Sequence, residues 1–256
     1  MKKTNISCLV CFLLAITLSV TAQVTTPKPD NFKSITDGGT GSQPILNTIM
    51  HDLLDDKITY KSNLKTIGSP YLKEKYQIAT LFYKEELQEH FYIRHNILND
   101  EIELKKSMLP NEQPKALIRD PGIKLVLEDG KAICFKKYRS KKGDIKRGFI
   151  YTLNDSATYT IYKAIHAKFS KGHTAHTATS SMVKEVPHRF SHFSSYYFTS
   201  IPQGTLYPLT SNYKKFLQNL KPEIQKKLKA YIKENGLNFK DENEIKLIFD
   251  YLNSIL

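Results

Sequence analysis

Between about residue 57 and Pro208, apolar positions recur mainly at every second residue, the spacing of a strand that buries one face. Glu101-Ile102-Glu103-Leu104-Lys105 alternates strictly, which assigns charge to one face and apolar side chains to the other. Ile123, Leu125 and Leu127 repeat the pattern. Asp129-Gly130 then supplies a tight turn, since glycine accepts the positive φ such turns demand, and Ile133 and Phe135 return on a partner strand. Phe149, Tyr151 and Leu153, then Tyr159, Ile161 and Ile165, then Tyr196 through Ile201 continue the series, with Asn154-Asp155-Ser156 and Pro202-Gln203-Gly204 as punctuation. Short strands joined by tight turns predict an antiparallel β meander that must curl, or stack as a sandwich, to cover one face.

After Pro208 the period lengthens. Ser211 is placed to cap a helix through Phe216, Leu217 and Leu220. Pro222 suits the first turn of a second helix with Ile224, Leu228 and Ile232 on one stripe, and Asn235-Gly236 ends it. Asp241 and Glu244 have the spacing of a capping box before Ile245, Ile248, Phe249 and Leu252. The expected fold class is therefore mainly β, or α+β: an antiparallel β domain over 57–208 with a helical hairpin over 209–256 docked on it. Ile45 to Leu54 adds the pattern of a short helix across 45–56, and residues 23–44, rich in Thr, Pro, Gly and Ser, read as a flexible lead-in.

At the start of the chain Lys2 and Lys3 precede an apolar run from Cys8 to Val20, and Val20-Thr21-Ala22 ends it with side chains that a signal peptidase accepts. This predicts a Sec-type signal peptide over residues 1–22, cleaved near Ala22-Gln23. The run is shorter than the ~20 residues of a membrane span. Cys8 and Cys11 open it rather than close it, which argues against a lipid anchor. The expected address is the periplasm or the extracellular space, with no transmembrane segment in the mature chain. Of three cysteines only Cys134 remains after cleavage, so no internal disulfide is expected, and Cys134 reads as a small buried hydrophobe.

Charge changes the picture of partners. Lysine and arginine total 38 against 25 acidic residues, a formal net charge of +13 that falls by two with the leader lysines. Such a balance favours anionic partners, including lipopolysaccharide and acidic polysaccharide. Lys136, Lys137, Arg139, Lys141 and Lys142 cluster where a strand runs into a turn and form the candidate polyanion-binding set. Lys226-Lys227-Leu228-Lys229 reads as the solvated face of a helix. No nucleic-acid-binding motif is present.

Two stretches, Ile67-Gly68-Ser69-Pro70-Tyr71-Leu72 and Arg94-His95-Asn96-Ile97-Leu98-Asn99-Asp100-Glu101-Ile102-Glu103, resemble a broad group of exported proteins of Bacteroidota-type bacteria. That group shows I-G-S-P-Y-L, then R-Y-N-x-x-x-D-E-I-E, a β meander, a tyrosine doublet (here Tyr196-Tyr197) and a C-terminal segment like Glu244 to Leu252. His95 stands where the group usually has tyrosine. The resemblance covers most of the mature chain. It implies a compartment and a fold and brings no catalytic residues.

The candidate chemistry lies in histidines. His173 and His176, then His188 and His192, form two pairs at spacings three and four, which bring two imidazoles to one side of a turn or helix and suit zinc. Only Glu185 accompanies them, and neither pair has the His-Glu-x-x-His order of a zinc hydrolase. No Gly-x-Ser-x-Gly elbow occurs. Glu85, Glu86, Asp100, Glu101 and Glu103 are carboxylates in places where surface strands carry charge anyway. No catalytic residue and no cofactor other than the alternative zinc are nominated. The leading expectation is a non-enzymatic protein that binds another macromolecule of the cell envelope, such as an envelope protein or an anionic polymer. The alternatives are a metal-dependent enzyme built on the four histidines and a basic polyanion binder.

Overall fold

A computed structural model describes residues 46, 48–53, 64–154, 158–174, 184–201, 204–210 and 213–256. The leader, the lead-in and His176 lie outside the described residues. The chain is mainly β. Its strands are β1 (Met50–Asp52), β2 (Thr66–Ile67), β3 (Gln77–Tyr83), β4 (Glu86–Asn96), β5 (Glu101–Lys105) and β6 (Lys115–Leu117), followed by β7 (Ile123–Leu127), β8 (Ala132–Arg139), β9 (Ile145–Thr152), β10 (Thr160–Ser170), β11 (His188–Thr199) and β12 (Tyr207–Leu209). Three helices close the sequence: α1 (Lys214–Leu217), α2 (Pro222–Glu234) and α3 (Glu242–Ser254).

All twelve strands share one curled sheet in the order β1-β6-β5-β4-β3-β7-β8-β9-β10-β11-β12, and β2 adds to β11 in parallel. Path neighbours pair antiparallel, as expected, but the order is not a simple meander. β3 is paired on both edges, with β4 on one side and β7 on the other, so the chain builds outward in two directions from it. One element differs from its sequence pattern. A helix is expected over 45–56, yet among the described residues of that stretch only 46, 48 and 49 are helical, and Met50–Asp52 pairs with Lys115–Leu117 as an edge strand. Leu46 and Ile49 still reach the core, so burial is kept while sheet hydrogen bonds replace the second helical turn.

Alternation sorts the sheet's two faces. Ile133 and Phe135 of β8 and Phe149 and Tyr151 of β9 join Leu81, Phe91, Ile102 and Ile123 in the larger core. Ile150, from the opposite face of β9, packs with Tyr162, Ala164, Tyr197 and Leu206, against which Tyr138 also lies. That second cluster fills a small ring of strands. Leu206 N donates to Lys137 O at 3.0 Å and Arg139 N donates to Leu206 O at 2.8 Å, so the segment entering β12 returns to β8 and closes the circuit β8-β9-β10-β11-β12. The third core joins β10 and β12 to the helices through Ile161, Leu209, Phe216, Leu228, Ile248 and Phe249.

The helical hairpin forms where the pattern places it. Pro222 sits in the first turn of α2, where its missing N–H costs nothing. Asp241 caps α3 by accepting from Asn243 N and Glu244 N. Glu244 completes only half of a capping box, because its carboxylate accepts from Asn238 N instead of the cap's own amide. Asn253 locks α3 to the sheet with paired bonds: Tyr159 N donates to its Oδ1 at 2.9 Å, and its Nδ2 donates to Tyr159 O at 3.0 Å. Lys163 of β10 reaches Glu242 at 2.6 Å. Among the described residues no helix is long and apolar enough to cross a membrane.

Candidate functional site

The two stretches Ile67–Leu72 and Arg94–Glu103 meet in space. Leu72 N donates to His95 O at 3.0 Å and Ile97 N to Pro70 O at 2.8 Å, which lays the first stretch along the end of β4. Glu103 is 3 % exposed, against the expectation of a solvated charged face on β5. The reason is that Tyr71 and Tyr76 cover it. Their hydroxyls donate to Glu103 Oε1 at 2.9 Å and Oε2 at 2.8 Å, and Arg94 adds Nε and Nη2 to Oε2 at 3.0 and 2.6 Å. The Arg94 guanidinium also lies 3.8 Å from the Tyr71 ring centre and 4.6 Å from that of Tyr76. A buried carboxylate is tolerable only with such partners. Burial, then the neighbouring Glu103, push the Tyr71 hydroxyl up to about 12, so it is a donor throughout the physiological range.

On the other face, Asp100 works as a plug. β9 and β10 pair only at Thr152↔Tyr162 and Tyr151↔Lys163 and then part. The turn between β4 and β5 enters the gap: Ala167 N donates to Ile97 O at 2.7 Å, and Phe149 N donates to the Asp100 carboxylate at 3.2 Å. Asn96 Oδ1 caps Leu98 N at 3.1 Å within that turn, and Asp100 takes a φ of 52°. His95 is 5 % exposed, with Nδ1 3.0 Å from the Tyr151 hydroxyl and Nε2 3.5 Å from Asp100 Oδ1. Nδ1 is the ring nitrogen that shares a hydrogen bond, with Tyr151, and the buried Nε2 finds no hydrogen-bond partner among the described residues. This carboxylate, imidazole and phenol have the order of a proton relay. The adjoining cavity, however, is only about 10 Å³, at most the room of one water.

Two of the nominated histidines, His188 and His192, are held apart. His188 and His192 both belong to β11, where four residues span about 13 Å, too far to share one ion. A spacing of four brings imidazoles together on a helix, and an extended strand separates them. His188 is buried against Phe169, with Nδ1 accepting from Gly172 N at 2.9 Å. His192 is exposed, its Nε2 2.7 Å from Ser69 O, and His173 is exposed at a backbone bridge to Val186. Among the described residues no group of three or more His, Cys, Asp or Glu is placed to hold a metal. Cys134 is half-buried, and burial pushes its thiol up.

The basic set divides as well. β8 pairs with β9 through Lys136↔Gly148, Lys137↔Arg147 and Arg139↔Ile145, so Lys136 points to one face and Lys137 and Arg139 to the other. Lys141 and Lys142 occupy the exposed connection to β9. Arg139 and Lys141 border a cleft of about 690 Å³. Its lining also includes Lys215 of α1, a residue that sequence reasoning did not nominate. The cleft lies where the end of β11, the segment entering β12 and α1 meet, next to the closed ring of strands. Phe216 and Leu220, 5 % and 8 % exposed, form its inner part, and the exposed Ile201 and Tyr207 stand at its edge. None of its described lining residues is acidic, and among the described residues none of its three cations takes part in an ion pair. Arg139 spends one N–H on Gly143 O at 3.2 Å, which fixes the guanidinium near the Tyr207 ring.

Fold and cleft together define a β-rich protein with a docked C-terminal helical pair and a basic, aromatic-walled cleft. No family model, no curated protein and no solved structure matches the chain.

Proposed function

We propose that this chain is an exported, non-enzymatic binding protein whose cleft receives an anionic part of a cell-envelope macromolecule. The observation that carries the reading is the sign of the cleft: Arg139, Lys141 and Lys215 line it, and no carboxylate among its described lining residues neutralises them. A cleft lined by one sign of charge concentrates counter-ions and speeds their capture. The leader pattern of residues 1–22 and the net charge of +13 support export and an anionic partner. The cleft volume falls inside the range of about 300–1,000 Å³ common for ligand sites.

Retention on a heparin resin tests this reading. The triple variant Arg139→Gln/Lys141→Gln/Lys215→Gln is expected to elute at clearly lower salt than Lys226→Gln/Lys227→Gln/Lys229→Gln, which removes the same charge from exposed positions of α2. Equal elution of the two variants would show that retention reports net charge and that the cleft is not the site.

A further inference from the structure

The interior of the cleft adds information that its charge does not. The charged side chains Arg139, Lys141 and Lys215 are exposed, whereas the apolar Phe216 and Leu220, together with the polar Thr199, are the buried part of the lining. A soluble polyanion has no use for the buried apolar part, since its groups seek water and cations along their whole length. Two further side chains extend the apolar surface outward. Ile201 is 64 % exposed and Tyr207 is 49 % exposed, both bordering the same cleft. Large apolar side chains gathered at the edge of a cleft and ringed by cations suit a ligand that is itself two-sided.

Resting on the reading of the cleft as an anion site, we infer that its occupant is an amphiphilic anion: a phosphate or similar headgroup held by Arg139, Lys141 and Lys215, with an alkyl chain lying on Phe216, Leu220, Ile201 and Tyr207. Arg139 suits the headgroup because its fork presents several donors in one plane, one of which is already anchored on Gly143 O. Lys141 and Lys215, in the same lining, act as point charges. The chain contributes through area removed from water, a term that grows with each methylene until the apolar part of the cleft is filled. Headgroup and chain therefore make separable contributions, and a probe series can vary one at a time.

The test is calorimetric titration of the protein with inorganic phosphate and with octyl, decyl and dodecyl phosphate, all below the concentration at which they aggregate. A fragment of heparin is titrated in parallel. The expected result is one site per chain for the alkyl phosphates, tightening about tenfold for each two methylenes added, and far weaker binding of inorganic phosphate. Arg139→Gln/Lys215→Gln is expected to weaken every alkyl phosphate about tenfold or more without changing the chain-length slope. Ile201→Ser/Tyr207→Ser, at exposed positions that the fold can spare, is expected to flatten the slope while leaving inorganic phosphate unchanged. If heparin binds through the cleft cations and the alkyl phosphates bind no better than inorganic phosphate, the amphiphile inference fails and the anion site stands. If neither heparin nor any phosphate responds to the cleft cations, both fail. Alkyl phosphate binding that ignores all the cleft variants also overturns the inference, because the ligand then sits elsewhere.

Discussion

Replacing Glu103 by alanine strips the partner from four donors at once: the Tyr71 and Tyr76 hydroxyls and two N–H groups of Arg94. The Arg94 side chain is 22 % exposed and that of Glu103 5 %, so water can reach only part of the cation left behind. Breaking a buried pair by removing one member costs about 3–5 kcal/mol, mostly because the remaining charge is stranded. For a chain of this size each kcal/mol shifts the melting temperature by about 2–4 °C, which puts Glu103→Ala roughly 10 °C or more below the parent. Glu103→Gln keeps the shape and loses the charge, and a drop of about half that size is expected. Arg94→Met removes the stranded cation and leaves a side chain that still packs on the two rings. The double variant Arg94→Met/Glu103→Ala should therefore be much less unstable than the sum of the singles, with a coupling of about 2 kcal/mol or more. Urea unfolding followed by circular dichroism measures the four variants beside the parent. A Glu103→Ala cost below about 1 kcal/mol, or additive singles, would refute the reasoning that this pair pins the two stretches together.

Three other outcomes follow from local geometry. A methyl group at position 148 would come within 2.6 Å of Asp100 Oδ2. Gly148→Ala should thus expel the plug from Phe149 N and cost about 1–3 kcal/mol in urea unfolding, and combining it with Asp100→Ala should add little. Lys84 and Glu85 turn the β3–β4 hairpin at φ of 51° and 70°. Glu85→Gly is expected to raise stability by about 0.5–1 kcal/mol, and a loss would show that the turn is not strained. Burial pushes Tyr71, Tyr138 and Tyr162 up to about 12. The folded chain then holds protons that the unfolded chain releases, so stability is full below about pH 10 and declines as pH rises toward 12. The urea midpoint should fall across that window, together with tyrosinate absorbance that lags behind that of the unfolded protein.

Most strands after Glu101 and the two long C-terminal helices were legible because each announces itself over a few neighbouring residues. Ile123 to Phe135 forms the hairpin its alternation describes, with Gly130 at a φ of 80°, and Pro222 and Asp241 mark the starts of α2 and α3. Contacts between distant residues were not legible. Nothing near Glu103 tells that Tyr71, 32 residues earlier, and Tyr76, 27 earlier, will cover it, so a buried carboxylate reads as a surface one. The turn at Lys84-Glu85 has neither glycine nor asparagine to signal it. Pairing register decides what sequence clusters become: extension separates His188 from His192, and alternation divides Lys136 from Lys137 and Arg139. Lys215 was missed because it joins Arg139 and Lys141 only once α1 folds back beside the end of β11. The excess of basic residues was the one signal in the sequence that pointed toward the cleft.

The central claim, that the basic cleft is where this protein binds, is tested most directly by amide hydrogen exchange with and without saturating dodecyl phosphate. The account predicts slowed exchange concentrated in residues 198–201, 204–210 and 213–220, which border the cleft, with α2 beyond Gln225 and β3 to β5 unchanged. Protection spread evenly over lysine-rich surfaces, or confined to α2, would contradict it and identify the interaction as one of net charge.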